Sequence, residues 1–502
     1  MTSFIFSYVN AIFKNPLLIA CSIWALILNL TIDFFFYNLK TIQGHIFVAL
    51  LEVYLQVVIY IIGSSTSTKN LRPSNTYQFI VIFSLANLIL VTFKAIFILN
   101  LASTPVINDF GSYLSFAPGK AYALSSVADG KIDAIANILY QCRLCGSGSM
   151  IPLNEPFIAY FFVAISFIAG EFNQHILWLT LTSINLLTAN TILRIVQVFY
   201  PSIQNVWVAP LGYILFVEVN AINLYLFKDG IIALLLLYLF YTYLRYVTKS
   251  KTTILTEIFA ISLIILLLSF RSGMLFFIVA LTFISCIFSP KYWILFIRIF
   301  FLAVFGFFVL SKSFDHRNNI FEKTIHRSVN VALEPKSKYL DHTGFQYSSS
   351  QNRSIPERLN IHNLTFSNLL YAPIVKSFLY FLLPLNVFAY TNQSDLFHKL
   401  SSAIYFVLYP LLALGFISIL KRPERKDFYL LSFFCMIAVL ISLSGPFFVP
   451  RYRIIALPFF VIILSLGISR YSKSIITLSI TISTILLLII IINYKKIYNL
   501  LI

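Results

Sequence analysis

The sequence predicts an all-α fold, a polytopic membrane bundle of about 13 to 15 spans. Three observations carry this. Hydrophobic residues make up 59% of the 502 residues and charged residues only 11%, where soluble chains carry about 25% charged. Phe and Tyr alone number 51 and 29, more apolar surface than so few charges could keep in water. Apolar runs of about 20 residues, the length that crosses a bilayer as a helix, recur along most of the chain.

Taken in order, the spans fall near 17–37, 43–63, 77–101, 155–171, 175–193, 229–247, 253–270, 273–289, 291–311, 402–420, 428–445, 453–469 and 474–493. The first contains the run Leu17–Phe36, too long for a signal-peptide core and followed by no small-residue cleavage site, so no cleavable signal is expected. Two further apolar segments, 195–227 and 367–390, are interrupted by Pro201, Pro210, Pro373 and Pro384. They read as short, paired or re-entrant helices, which need protein or a cavity around them. No internal repeat or low-complexity linker divides the chain, so one integral domain is expected. Its parts are a three-span region (1–101), a first loop (102–154), central spans (155–311), a large segment with a re-entrant stretch (312–401) and C-terminal spans (402–502).

The net charge of +18 is scattered between apolar runs rather than gathered in one patch, which excludes a nucleic-acid partner. It fits basic cytoplasmic loops and an anionic ligand outside. The most basic short loops are 245–251 and 421–426. With both in the cytoplasm, Lys14, Lys69, Arg72, Lys291, Arg298, Arg470 and Lys473 join them and the N-terminus is inside. This requires 195–227 to cross twice and 367–390 to return to its own side; Lys495 and Lys496 then violate the rule. The long polar stretches 102–154 and 312–366 fall outside, with Lys228-Asp229, Arg271, Arg451 and Arg453 exposed at that face.

Several residues at the outer face suit chemistry. Asp109, in Asn108-Asp109-Phe110 with Tyr113 nearby, is a base toward a sugar hydroxyl, a sugar ligand, or a helix cap. Glu155, before Pro156, is a second acid, or a residue that the helix dipole favours. Lys228-Asp229-Gly230 breaks apolar sequence, and so costly a pair should face a cavity or a partner. Lys228 suits a phosphate; Asp229 suits acid–base work, orientation of the lysine, or capping. Arg271, between two apolar runs, either snorkels from a tight turn or forks onto a diphosphate. Arg451-Tyr452-Arg453 offers two guanidinium groups and an aromatic face on the side where charge topology gives arginine no reason to be.

Other polar residues read more plainly. Cys21, Cys286 and Cys435 are small hydrophobes, while Cys142 and Cys145 suit a loop disulfide better than zinc, which needs four ligands. His316, His326, His342 and His362 show no metal-binding spacing, so no metal or cofactor is expected; His362 is a weak base candidate. Lys94, Glu52 and Glu218 interrupt spans.

The order of these features resembles bacterial O-antigen and capsule repeat-unit polymerases of the Wzy type. The resemblance rests on the Asp109 loop, Glu155-Pro156, Lys228-Asp229-Gly230, Arg271, the large outer segment with Tyr371-Ala-Pro373 and Leu383-Pro384, and Arg451-Tyr-Arg453, across about residues 100–470. It implies a GT-C-like architecture in the bacterial inner membrane, working on the periplasmic side without a metal. The activity implied is glycosyl transfer from one undecaprenyl-diphosphate carrier onto the next lipid-linked repeat unit. Catalysis would fall to Asp109, Asp229 and Glu155, and binding to Arg451, Arg453, Arg271, Lys228, Tyr113 and Tyr452. The implied partners are the lipid-linked glycan, the bilayer and a chain-length regulator. The three spans before Asp109 depart from the pattern. Two rivals stand beside it. One is a single-sugar transferase using a polyprenyl monophosphate, which should carry an acidic pair where Asn108 and Phe110 flank Asp109. The other is a flippase, which should carry charges deep in its spans and show two related halves.

Overall fold

The computed structural model describes residues 16–64, 73–103, 157–224, 228–248, 253–314, 393–421, 424–443 and 452–492, apart from positions 38, 172, 202 and 204. All regular structure among them is helical. In chain order the helices are α1 (Pro16–Phe36), α2 (Ile42–Ser64), α3 (Pro73–Ser103), α4 (Phe157–Ala169), α5 (Gln174–Phe199), α6 (Val208–Leu215), α7 (Val217–Leu224) and α8 (Asp229–Val247). They continue as α9 (Ile254–Phe270), α10 (Leu275–Phe288), α11 (Trp293–Phe314), α12 (Gln393–Lys421), α13 (Arg425–Leu443), α14 (Arg453–Arg470) and α15 (Lys473–Ile492). Nine helices among the described residues are long and apolar enough to cross a membrane. All thirteen segments read as spans carry a helix in their described residues, although α4 has only 13 residues. Large apolar side chains such as Trp24, Phe305 and Leu478 stay exposed, as a lipid solvent allows.

The ends of these helices follow local chemistry. Pro16 and Pro73 open α1 and α3, where a missing N–H costs nothing. The Asn173 side chain accepts from His175 N at 2.8 Å to start α5, and Thr253 with Thr256 forms a capping box on α9. Pro201 follows the Tyr200 cap of α5, so this helix continues through Arg194 to Phe199, past the expected end at 193.

Two compact units emerge. The first holds α1–α6 and residues 219–227; the second holds Lys228 onward with two short pieces, 153–156 and 216–218. In the first unit, α5 and the α6–α7 pair run antiparallel. Asn185 Nδ2 donates to Val219 O at 2.9 Å and Asn223 Nδ2 to Thr182 Oγ1 at 3.2 Å, so positions rise along one helix as they fall along the other. The 195–227 stretch therefore makes one broken passage after α5, not the two crossings expected.

A second correction concerns the start of α5. The sequence reading puts 37–43 outside and, three spans later, 171–175 inside. Instead they share one end. Glu171 Oε2 accepts from Lys40 N at 2.9 Å, Asn173 Nδ2 donates to Tyr37 O at 3.1 Å, and Gln43 Nε2 donates to Ile168 O.

The second unit alternates as the sequence implies. Arg470, ending α14, donates to Ser418 Oγ on α12 at 2.9 Å and approaches Asp427 on α13 at 3.5 Å. Ser285 and Tyr429 hydrogen-bond at 2.8 Å between α10 and α13. Helices α12 and α14 are parallel and touch through glycine: a Cβ at Gly415 would lie 2.4 Å from Ile463 O, and one at Gly467 2.5 Å from Leu411 O. That close seam aligns the starts of both helices at the opposite end from Arg470.

Candidate functional site

The starts of α8 and α14 and the end of α9 meet at that opposite end of the second unit. Helix α8 opens at Lys228, whose carbonyl accepts from Ile232 N at 3.1 Å, and places Asp229 in the first turn. Helix α9 closes at Arg271, whose N–H caps it by donating to Leu267 O at 2.9 Å while the backbone turns extended. A 3-10 turn, Ser272–Met274, then leads into α10. The connection is short enough to fix the Arg271 side chain among three helix ends.

Arg271 joins the cluster. Its Nη1 donates to Asp229 Oδ1 at 3.0 Å, its Nη2 contacts the Tyr452 hydroxyl, and its guanidinium carbon lies 4.1 Å from the Tyr452 ring centroid. Asp229 is 42 residues from Arg271 in sequence and Tyr452 is 181, so only folding brings them together. The Arg271 side chain keeps 22% exposure against 3% for Asp229. A Cβ built on Gly273, two residues on, meets nothing within 4 Å, so the turn borders open space.

Arg453 is turned elsewhere. It is 0% exposed, donates from Nη1 to Ser402 Oγ on α12 at 2.7 Å, and lies 5.6 Å from the Tyr405 ring centroid. Ser402 and Tyr405 are the residues that sequence reasoning missed; hydroxyls inside the apolar run of α12 give no signal of a buried guanidinium beside them.

The expectation that Lys228, Asp229 and Arg453 stand exposed at an outer face is corrected: all three are buried, and among the described cations of that face only Arg271 is part-exposed. Helix-end packing turns Arg453 inward along the α12–α14 seam. For Asp229, the ion pair with Arg271 replaces a simple capping role, since the cap position is Lys228 and no side chain caps it. Asp109, Tyr113, Glu155 and Arg451 lie outside the described residues, as do Cys142, Cys145 and the four histidines of 312–366.

Comparison with known proteins identifies no relative. No protein-family model matches this sequence, and neither a curated protein nor a solved structure does. The chemical reading therefore rests on the residues. A part-exposed guanidinium, braced by a buried carboxylate on one side and a phenol on the other, is a preorganised donor for an anion. Because the bracing groups already fix its plane, little side-chain entropy remains to be lost on binding.

Proposed function

We propose that this chain is a GT-C-like polysaccharide polymerase of the bacterial inner membrane. It would join undecaprenyl-diphosphate-linked repeat units at the periplasmic face. The observation that carries the reading is the meeting of Asp229, Arg271 and Tyr452, three residues singled out by the sequence pattern, at one helix-end cluster.

In the proposed reaction an acceptor hydroxyl oxygen attacks the anomeric carbon of the donor glycan. The bond from that carbon to the diphosphate oxygen breaks, and the lipid diphosphate leaves with the electron pair. The hydroxyl proton passes to a carboxylate. Leaving-group charge is the main thing to stabilise, and fixed arginine donors suit that work. Arg271 is the natural contact, with Asp229 and Tyr452 as its positioning residues. The Asp229 carboxylate is buried and engaged by Arg271, so Asp109 is the better base. Arg453 supports the start of α14 and thereby the placing of Tyr452.

Orientation supports the reading through charge. The opposite end of the second unit carries Arg245, Lys291, Arg298, Lys421, Arg425, Lys426, Arg470 and Lys473 among its described residues, as a cytoplasmic face should. A transporter of lipid-linked oligosaccharide is the second reading, favoured by the ionisable residues buried in the spans of the first unit.

The deciding experiment gives purified protein an undecaprenyl-diphosphate-linked oligosaccharide without added divalent metal. A ladder of lipid-attached glycans is expected. Extension by one sugar from a monophosphate donor would replace the polymerase by the single-sugar transferase, and lipid movement across a vesicle with no new glycosidic bond would replace it by the transporter.

A further inference from the structure

Four ionisable side chains inside the first unit form a closed set. Lys94 Nζ on α3 donates to Asp33 Oδ2 on α1 at 3.0 Å and contacts Glu52 Oε1 on α2. His175 Nε2 on α5 meets Asp33 Oδ1 at 3.0 Å, while Asp33 and Glu52 share the single ammonium of Lys94. All four side chains are 0% exposed. One turn deeper, Asn29, Gln56 and Asn87 make a neutral amide layer, with Gln56 Nε2 donating to Asn87 Oδ1 at 2.8 Å. Toward the α1–α2 turn the Tyr37 ring stacks on His175 at 3.1 Å between centroids, and its hydroxyl donates to Lys94 O at 3.1 Å.

The charges do not balance in their ordinary states. Two carboxylates, one ammonium and a neutral imidazole sum to −1, and an uncompensated charge buried in a bilayer costs several kcal/mol. Among the described residues, neighbouring groups offer no relief. Glu171 is turned to Lys40 N and Thr41, His45 packs on Phe34, and Tyr37 is neutral. One more proton would bring the set to zero. Placing it on His175 would make Nδ1 a buried donor with no acceptor, because that atom has no hydrogen-bond partner among the described residues. Two buried carboxyl groups that share one ammonium, by contrast, favour keeping one proton, and Glu52 Oε2 meets no donor among the described residues.

We infer that Asp33 and Glu52 form an intramembrane proton-binding site, sharing one exchangeable proton that Lys94 and His175 hold in place. Uptake converts one carboxylate to a carboxylic acid; release returns the proton to water and leaves the set at −1. His175, with Nε2–H turned to Asp33, orients that carboxylate. The site is distinct from the proposed glycan chemistry and does not depend on it.

The test uses the full chain in lipid nanodiscs without substrate. Infrared difference spectra across a pH titration should show a carboxylic-acid carbonyl band at neutral pH that disappears in a one-proton step as pH rises. Glu52→Gln and Asp33→Asn should each lose that band. Each leaves one carboxylate facing Lys94, a neutral set that folds without the proton. Thermal midpoints provide the second readout. The folded state binds the extra proton more tightly than the unfolded chain, so wild-type stability should fall as pH rises, and the Glu52→Gln profile should be flat. A wild-type spectrum without the band, the same band in both variants, or a Glu52→Gln protein destabilised equally at every pH would overturn the inference in favour of a fixed ionic clamp.

Discussion

Removing Arg271 should damage the protein more than neutralising its partner, because the two ends of the ion pair sit in different surroundings. The Asp229 side chain is 3% exposed and Arg271 22%. Arg271→Ala strands a carboxylate that water barely reaches, at a cost of about 2–5 kcal/mol. Asp229→Asn leaves a guanidinium that reaches water and still contacts Tyr452, at a cost of about 1–3 kcal/mol. The double variant should recover part of the Arg271→Ala loss, since its carboxylate is no longer charged. Thermal midpoints of purified protein, taken at one scan rate because such unfolding is commonly irreversible, give the ordering. Single variants of equal stability would refute the asymmetry, and a double variant as poor as the sum of the two would show that the pair shares no energy. For the proposed polymerase the same 2–5 kcal/mol, if confined to the transition state, slows turnover about 30- to 5,000-fold at 1.36 kcal/mol per decade. Arg271→Lys keeps the charge but not the planar fork and should recover only part of the rate.

Other outcomes are equally checkable. In a background lacking the native cysteines, a cysteine at Ser349 should be labelled in intact cells and one at Ser250 should not; the reverse would invert the orientation. Arg451→Ala with Arg453→Ala should abolish long-chain product while the protein still expresses, and near-normal polymer from the double variant would remove the proposed role of this pair. Gly415→Ala and Gly467→Ala should each cost about 1–3 kcal/mol by forcing α12 and α14 apart, whereas Gly273→Ala, with open space around its Cβ, should leave the thermal midpoint unchanged.

The spans were legible because a helix in lipid must satisfy its backbone alone and be apolar for about 20 residues, a constraint written into consecutive positions. The turn chemistry at Pro201 was legible in kind but not in count: α6 and α7 are short, as the prolines imply, yet they make one passage rather than two. Nothing local says whether a short apolar run crosses, and α4 shows why, since its 13 residues end beside the α1–α2 turn. Asp229, Arg271 and Tyr452 could be named from their isolated polarity. Their contact could not, because it depends on helix ends 42 and 181 residues apart. The burial of Arg453 was hidden for a related reason: it follows from the glycine seam between α12 and α14, which looks like ordinary apolar sequence. Asp33 and His175 were missed although Glu52 and Lys94 stood out, because a charge within a span acquires meaning from its partners on other helices.

The two polar clusters differ in what they can accept. In the first unit the charged atoms face one another, the set is sealed by Tyr37 on one side and amides on the other, and no side chain of the four reaches water. Such a set has room to change its protonation but not to admit a molecule. In the second unit Arg271 is braced on two sides, remains 22% exposed and borders open space at Gly273. Bracing fixes the direction of its donors, and exposure lets an anion reach them without the full cost of burying both charges. The inferred proton site and the proposed anion site use the same residue types, because burial, not composition, decides which ligand can approach.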